Sequence, residues 1–153
     1  MCFSSVSGWS GCFLNSGFQS NTWTNIAYTI NINKDQAILY INGKETASDI
    51  NLPIYNYAAS SQNFFIGPEL PYASFANVQF YNATLSQTEI QGMYTLGIGG
   101  APINLQYLVG WWPLNGNEND YSGNNNNGNP SSAAYIGENI IWNGNWWQDY
   151  SYS

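Results

Sequence analysis

Residues 23–33, WTNIAYTININ, alternate with a period of two. Ile26, Tyr28, Ile30 and Ile32 fall on one side, and Asn25, Thr29 and Asn31 on the other. A helix would scatter the isoleucines around its axis, whereas a strand packed on one face gathers them. The segment is expected to be such a strand, with its isoleucine side inward. Residues 33–36 are a turn signal, and 37–42 return as the hairpin partner. Gly43 and the polar KETASD run lead out of that hairpin. Further strands are expected at 50–57 and at 62–67, the latter closed by Gly67-Pro68, with one or two more within 2–19. Short strands at regular spacing, divided by turn residues, argue for an all-β sandwich.

The stretch 75–97 adds the one helix. Phe75, Val78, Phe80 and Tyr81 carry the aromatic and β-branched residues that suit a half-buried strand. Asn82-Ala83-Thr84 breaks the run. Ser86 and Glu89 then stand at the capping-box spacing, in which each side chain serves the other's backbone N–H. Leu85 and Ile90 are placed to form a hydrophobic staple. Ile90, Met93 and Tyr94 share a helical face, and Gly97 is a stop. The spacing predicts a helix over 86–96.

Four landmarks in order carry a resemblance to laminin-G-like, concanavalin A-like jelly-roll domains. Trp23–Ala27 is similar to the family's W-x-H-V-A strand, with Asn25 where His is common. Leu39-Tyr40-Ile41-Asn42-Gly43-Lys44 resembles its Y-V-N-G hairpin, Phe64-Phe65-Ile66-Gly67 its L-x-I-G strand, and residues 75–94 its closing strand and helix. The resemblance implies an all-β concanavalin A-like jelly-roll β-sandwich. It implies little about activity, because such sandwiches host lectins, enzymes and structural modules.

The order of motifs is unusual. Residues 108–124, LVGWWPLNGNENDYSGN, resemble the opening of such a domain, yet they follow its closing helix. The chain is therefore divided into 1–97, the C-terminal part of a sandwich; 98–104, a Gly-rich linker; and 105–153, the opening motif with an aromatic hairpin. Three arrangements fit: a piece cut out of frame from a tandem array, a circular permutant, or a donated strand at 105–114 that completes a neighbouring molecule. Donation outward is the expectation. In the tail, Asn143-Gly144 is a two-residue hairpin signal, with arms 140–142 and 145–147 and with Trp142 and Asn145 flanking the turn.

The charge pattern limits partners. Charged residues are 7 % of 153, against about 25 % in an ordinary domain. Two lysines face nine carboxylates, giving a net charge of −7. Nucleic acid is excluded as a partner, because phosphate binding needs cationic groups. No stretch reaches the ~20 apolar residues of a membrane span. The start, MCFSSVSG, lacks the basic and apolar segments of a signal peptide, so an excised piece with an added Met is expected in preference to a processed export product. Solubility rests on Asn, Ser, Thr, Gln and Tyr, which suits an extracellular or cell-surface setting where carboxylates are partly protonated.

Cys2 and Cys12 flank SSVSGWSG, and a hairpin between them would set up a disulfide in an oxidising compartment; two buried small hydrophobes are the alternative. Asn82-Ala83-Thr84 is the one N-glycosylation sequon, since Asn129 precedes Pro.

No histidine is present, so a Ser-His triad is excluded. Glu118 and Asp120 sit two apart, superficially like the acid pair of a glycosidase, but in a turn-rich loop; the chain is read as no enzyme. The same loop offers hard oxygens from Asn115, Asn117, Asp120, Ser122 and Asn124, a candidate calcium site. Its alternative is a loop whose side chains cap their own backbone turns. Trp111, Trp112, Trp142, Trp146 and Trp147 are candidates for a protein interface or a glycan surface. Neighbouring pairs on a strand point to opposite faces, so about half can share a surface. Together these readings describe a non-enzymatic extracellular structural or interaction module, filament-forming by strand complementation, with self-association or neighbouring subunits as partners. A carbohydrate-binding module or adhesin domain is the alternative.

Overall fold

The structure is a computed structural model, and it describes residues 2–4, 10–12, 21–50, 74–129, 140–142 and 147–149. The sequence-based strands at 50–57 and 62–67 lie almost wholly outside these residues, as does the Phe64–Gly67 landmark. The chain divides into two units. One comprises Met1–Asn56 with Thr84–Thr95, and the other Tyr57–Ala83 with Leu96–Ser153.

In the first unit, β1 (Cys2–Ser4) pairs antiparallel with β2 (Ser10–Cys12). Three further strands, β3 (Ile26–Asn31), β4 (Gln36–Ile41) and β5 (Lys44–Ile50), form an antiparallel meander. The β3–β4 connection is a 3-10 turn, Ile32–Lys34, closed by Asp35 in the left-handed region at φ 48°. Asp tolerates that region better than a bulky residue does. The β4–β5 connection is Asn42-Gly43, with φ of 50° and 74°. Two positive φ values in succession match the twist of a two-residue hairpin, and Asn-Gly is its preferred sequence. The expectation that 44–49 lead away from the hairpin is thus corrected, since they form β5.

The isoleucines of β3, expected inward, are only partly covered. Thr29 is buried, while Ile26 is 40 %, Ile30 51 % and Ile32 64 % exposed. Thr29 and Tyr40 are diagonal cross-strand neighbours on one face, within reach of each other. Their side chains hydrogen-bond, so the hydroxyls are satisfied where burial would otherwise be costly. Ile32 lies beyond the strand, in the 3-10 turn. On the opposite face, the one that Ile26 and Ile30 share, Ala37 and Leu39 are buried completely, so the sheet is covered on both sides.

The helix α1 (Gln87–Leu96) begins with the expected box. The Ser86 N–H donates to Glu89 Oε2 at 2.7 Å, and the Glu89 N–H to Ser86 Oγ at 3.3 Å. The Ser86 hydroxyl itself donates to the same carboxylate oxygen at 2.6 Å. Leu85 and Ile90, the staple pair, are both buried. Gly97 ends the helix at φ 77°. The helix approaches the β4–β5 turn closely, for a Cβ on Gly43 would stand 3.1 Å from Tyr94 Cβ.

In the second unit, β6 (Val78–Tyr81) pairs antiparallel with β7 (Leu108–Trp112). The strand within 105–114, expected to be donated outward, is paired here with β6 of the same chain. Phe80 opposes Gly110 and Tyr81 opposes Leu108, leaving Val109 as a bulge. β8 (Ile140–Trp142) and β9 (Trp147–Asp149) form the aromatic hairpin. Trp142 is the backbone partner of Trp147, where the two-residue turn required Asn145.

Candidate functional site

The chemistry-bearing residues of the second unit gather on β7 and the loop that follows it. β6 takes one edge of β7. On the other edge, the loop folds back and supplies partners for the backbone groups that a neighbouring strand would otherwise meet. The Trp111 N–H donates to Asp120 Oδ1 at 2.9 Å, and the Trp111 carbonyl accepts the Tyr121 N–H at 2.8 Å. The bulge carbonyl of Val109 accepts the amides of Asn126 at 2.9 Å and Asn124 at 3.1 Å. Asn124 also donates to the Leu108 carbonyl at 3.0 Å. Side chains here do what a third strand would do, and they close an edge that would invite pairing.

Asp120 is the centre of this arrangement. Oδ1 accepts the N–H groups of Trp111 and Ser122, at 2.9 and 2.8 Å. Oδ2 accepts the Ser122 hydroxyl and the Asn126 N–H, each at 2.9 Å. Burial pushes the carboxyl pKa up, but the four hydrogen bonds outweigh it and hold the group below its ordinary value. Donors to the ionised form act in that direction. The Asp120 backbone N–H is in turn held by Asn127 Oδ1 at 2.9 Å.

The oxygens expected to hold calcium are engaged by hydrogen-bond donors in this geometry. Both Asp120 oxygens are aimed at by N–H and O–H donors, whose positive ends occupy the directions a cation would need. Asn117 Oδ1 is spent on the Asn119 N–H at 3.0 Å, and the Asn124 amide nitrogen points at backbone carbonyls. Asn115 stands apart, exposed, on the rim of a different feature. Of the five proposed ligands, Asp120, Ser122 and Asn124 are joined by hydrogen bonds, while Asn117 and Asn115 are engaged elsewhere. Among the described residues, no cluster of three or more His, Cys, Asp or Glu could hold a metal ion. Glu118 and Asp120 lie in the loop and not on a strand.

Trp111 and Trp112 point to opposite sides, as alternation requires. The Trp112 indole crosses over Gly110, where a Cβ would stand 2.6 Å from its Cζ3, and its Nε1 donates to the Asn126 carbonyl at 2.9 Å. Trp111 packs edge-on against Tyr121, with centroids 6.2 Å apart, and its Nε1 donates to Asn77 Oδ1 at 2.8 Å. Asn77 sits in the left-handed region at φ 52° and also accepts from Gln79 Nε2 at 3.0 Å. Its own amide donates to the Gly100 carbonyl at 3.1 Å. A cavity of about 260 Å³ opens here, lined by Asn77, Ile98, Trp111, Pro113, Asn115 and Tyr121, with Gly99.

Sequence reasoning passed over Asn77, Tyr121, Asn126 and Asn127. Of the run 124–127 only Asn124 was given a role, although four consecutive Asn beside a carboxylate supply many short donors and acceptors. Of the other candidates, Cys2 and Cys12 are directly opposed across β1–β2. Asn82 is exposed, and its N–H donates to the Tyr107 carbonyl at 2.9 Å. Trp142 and Trp147 are placed by their backbone alone, and Trp146 lies outside the described residues. No helix among the described residues is long and apolar enough to cross a membrane.

No curated protein matches the sequence. An S-layer domain-containing protein from Clostridium thermocellum, solved over its residues 221–444, is similar at 21 % identity and a TM-score of 0.42. The likeness covers 60 % of this chain and 48 % of that structure, so the chain spans about half its length. The laminin-G family model described as the concanavalin A-like lectin/glucanases superfamily matches residues 4–91, more than half of the chain. With antiparallel sheets, the expected Asn-Gly hairpin and the capped closing helix all in place, the chain belongs to the concanavalin A-like lectin/glucanase superfamily.

Proposed function

We propose that the chain is a non-enzymatic extracellular module that works through surface contact, chiefly with further copies of itself. The observation that carries this reading is the amount of apolar surface left open in a chain with so few charges. Ile30, Ile32, Leu96, Leu105 and Phe80 are each about half exposed or more. Ile30 and Ile32 are in the first unit and Phe80, Leu96 and Leu105 in the second, so each unit carries its own exposed apolar residues, and contiguous apolar surface marks contact sites. A non-catalytic role is supported by Asp120, whose four hydrogen bonds make it a poor proton acceptor. Assembly through a donated strand at 105–114 is not part of the proposal, because both edges of β7 are engaged.

An extracellular setting is supported by the β1–β2 register, which puts Cys2 across from Cys12 as a disulfide would need. Asn82, exposed in its sequon, is the proposed glycan attachment point. A second reading, carbohydrate recognition, is favoured by the cavity beside Trp111 and Tyr121. There two aromatic rings meet the amides of Asn77 and Asn115, a neutral lining suited to a polyhydroxylated ligand.

Sedimentation velocity over a wide concentration range separates the two readings. Contact with copies predicts a mass that grows with concentration and tryptophan emission unmoved by oligosaccharides. A constant monomer mass with emission quenched by glycans would favour the second.

A further inference from the structure

We propose that the self-contact surface is the outer rim of β3 together with the 3-10 turn after it, and that its occupant is the same rim of a second copy. This rests on the self-association reading above and names its site. Ile26 and Ile30 share one face of β3 at the outer edge of the sheet, and Ile32, in the turn directly after the strand, is the most exposed of the three. Together they leave on the order of 300 Å² of apolar surface open, the size at which a patch on a monomer carries meaning.

Charge selects the occupant. The turn ends in Lys34 and Asp35, both exposed and adjacent, and Lys34 is one of only two lysines in a chain of net charge −7. Two such chains repel each other over most of their surface. At this turn a cation and an anion stand side by side next to uncharged isoleucines. A two-fold contact places the same patch on both partners, so that residue i meets j and j meets i. Lys34 of one copy then meets Asp35 of the other, twice, across the isoleucines. The area is far below the ~1,600 Å² of a standard interface, so the contact is weak and shows at high concentration or on a crowded surface.

The test is a charge exchange on the full chain, read by sedimentation velocity. Lys34→Asp and Asp35→Lys each create like-charge pairs across the two-fold and should shift the monomer–dimer midpoint to higher concentration by about tenfold. An equimolar mixture of the two variants restores both attractive pairs and should recover wild-type association. Because Asp35 has a left-handed backbone, Asp35→Asn serves as a second variant that removes the charge without the strain, and it should weaken association in the same direction. Ile32→Ser should weaken it independently of salt. Wild-type association that is indifferent to these changes, or variants that weaken it without rescue on mixing, would overturn this surface and leave the self-association reading standing. A wild-type chain monomeric at all concentrations would overturn both.

Discussion

The backbone N–H of Trp111 donates to Oδ1 of Asp120 at 2.9 Å, tying the edge of β7 away from β6 to the loop nine residues on. That bond is one of four on the carboxylate, and the others fix Ser122 and Asn126. Asp120→Ala would leave these donors unmatched at once. Hydrogen bonds to charged groups contribute roughly 1.5–3 kcal/mol, so the substitution should cost about 3 kcal/mol as a shared loss, read from the urea unfolding midpoint. A midpoint within error of wild type would mean that water replaces the carboxylate without penalty.

The same carboxylate gives stability a pH dependence. Its folded pKa is depressed, so its contribution is complete above the unfolded value of about 3.9. The contribution is lost as pH falls through the lower folded value, because the unfolded chain then binds the proton more readily. Composition alone suggested a chain suited to partly protonated carboxylates, and Asp120 works against that. Urea midpoints should fall in acid for the wild type and fall less steeply for Asp120→Asn, which has no proton to exchange there. Parallel profiles would remove Asp120 from the acid limb.

Calcium should leave the melting temperature unmoved. A ligand that binds only the folded state raises it by mass action, but here the oxygens are already matched to donors. A rise on adding calcium that disappears in Asp120→Ala would mean that the loop rearranges around the ion.

What was legible in the sequence was what lies within one turn or one hairpin. The Ser86–Glu89 box and the Asn42-Gly43 turn each depend on residues three apart or fewer, and each is present. The strand β5 was missed because Lys44, Glu45, Thr46 and Ser48 are all exposed, so it offers no apolar alternation. The burial of Thr29 depends on Tyr40, a partner chosen by cross-strand register and not by spacing. The hydrogen bonds of Asp120 were hidden for a similar reason. Its partners come from nine residues before and six after, and in a list of oxygen-bearing side chains such a knot looks the same as a metal loop.

The capping box should behave as a unit. Ser86→Ala should cost about 1 kcal/mol, and Glu89→Ala a comparable amount, since each removes a partner of the other. Their double variant should cost less than the sum, because groups in one hydrogen-bonded network are not additive. Full additivity in thermal melts would show that each side chain acts alone.

Gly110 should be tied to Trp112. The indole lies across the glycine, and an added methyl would stand 2.6 Å from Cζ3, well inside contact distance. Gly110→Ala must push the ring aside, which breaks the Nε1 bond to the Asn126 carbonyl and loosens one of the residues that hold Asp120. Overpacking of this kind typically costs 1–3 kcal/mol, so a loss of about 2 kcal/mol is expected. In a Trp112→Ala background the methyl has room, and the same change should cost almost nothing. A cycle built from these variants measures the coupling directly. If Gly110→Ala is equally costly with and without the indole, the glycine is required for its backbone and not for the ring above it.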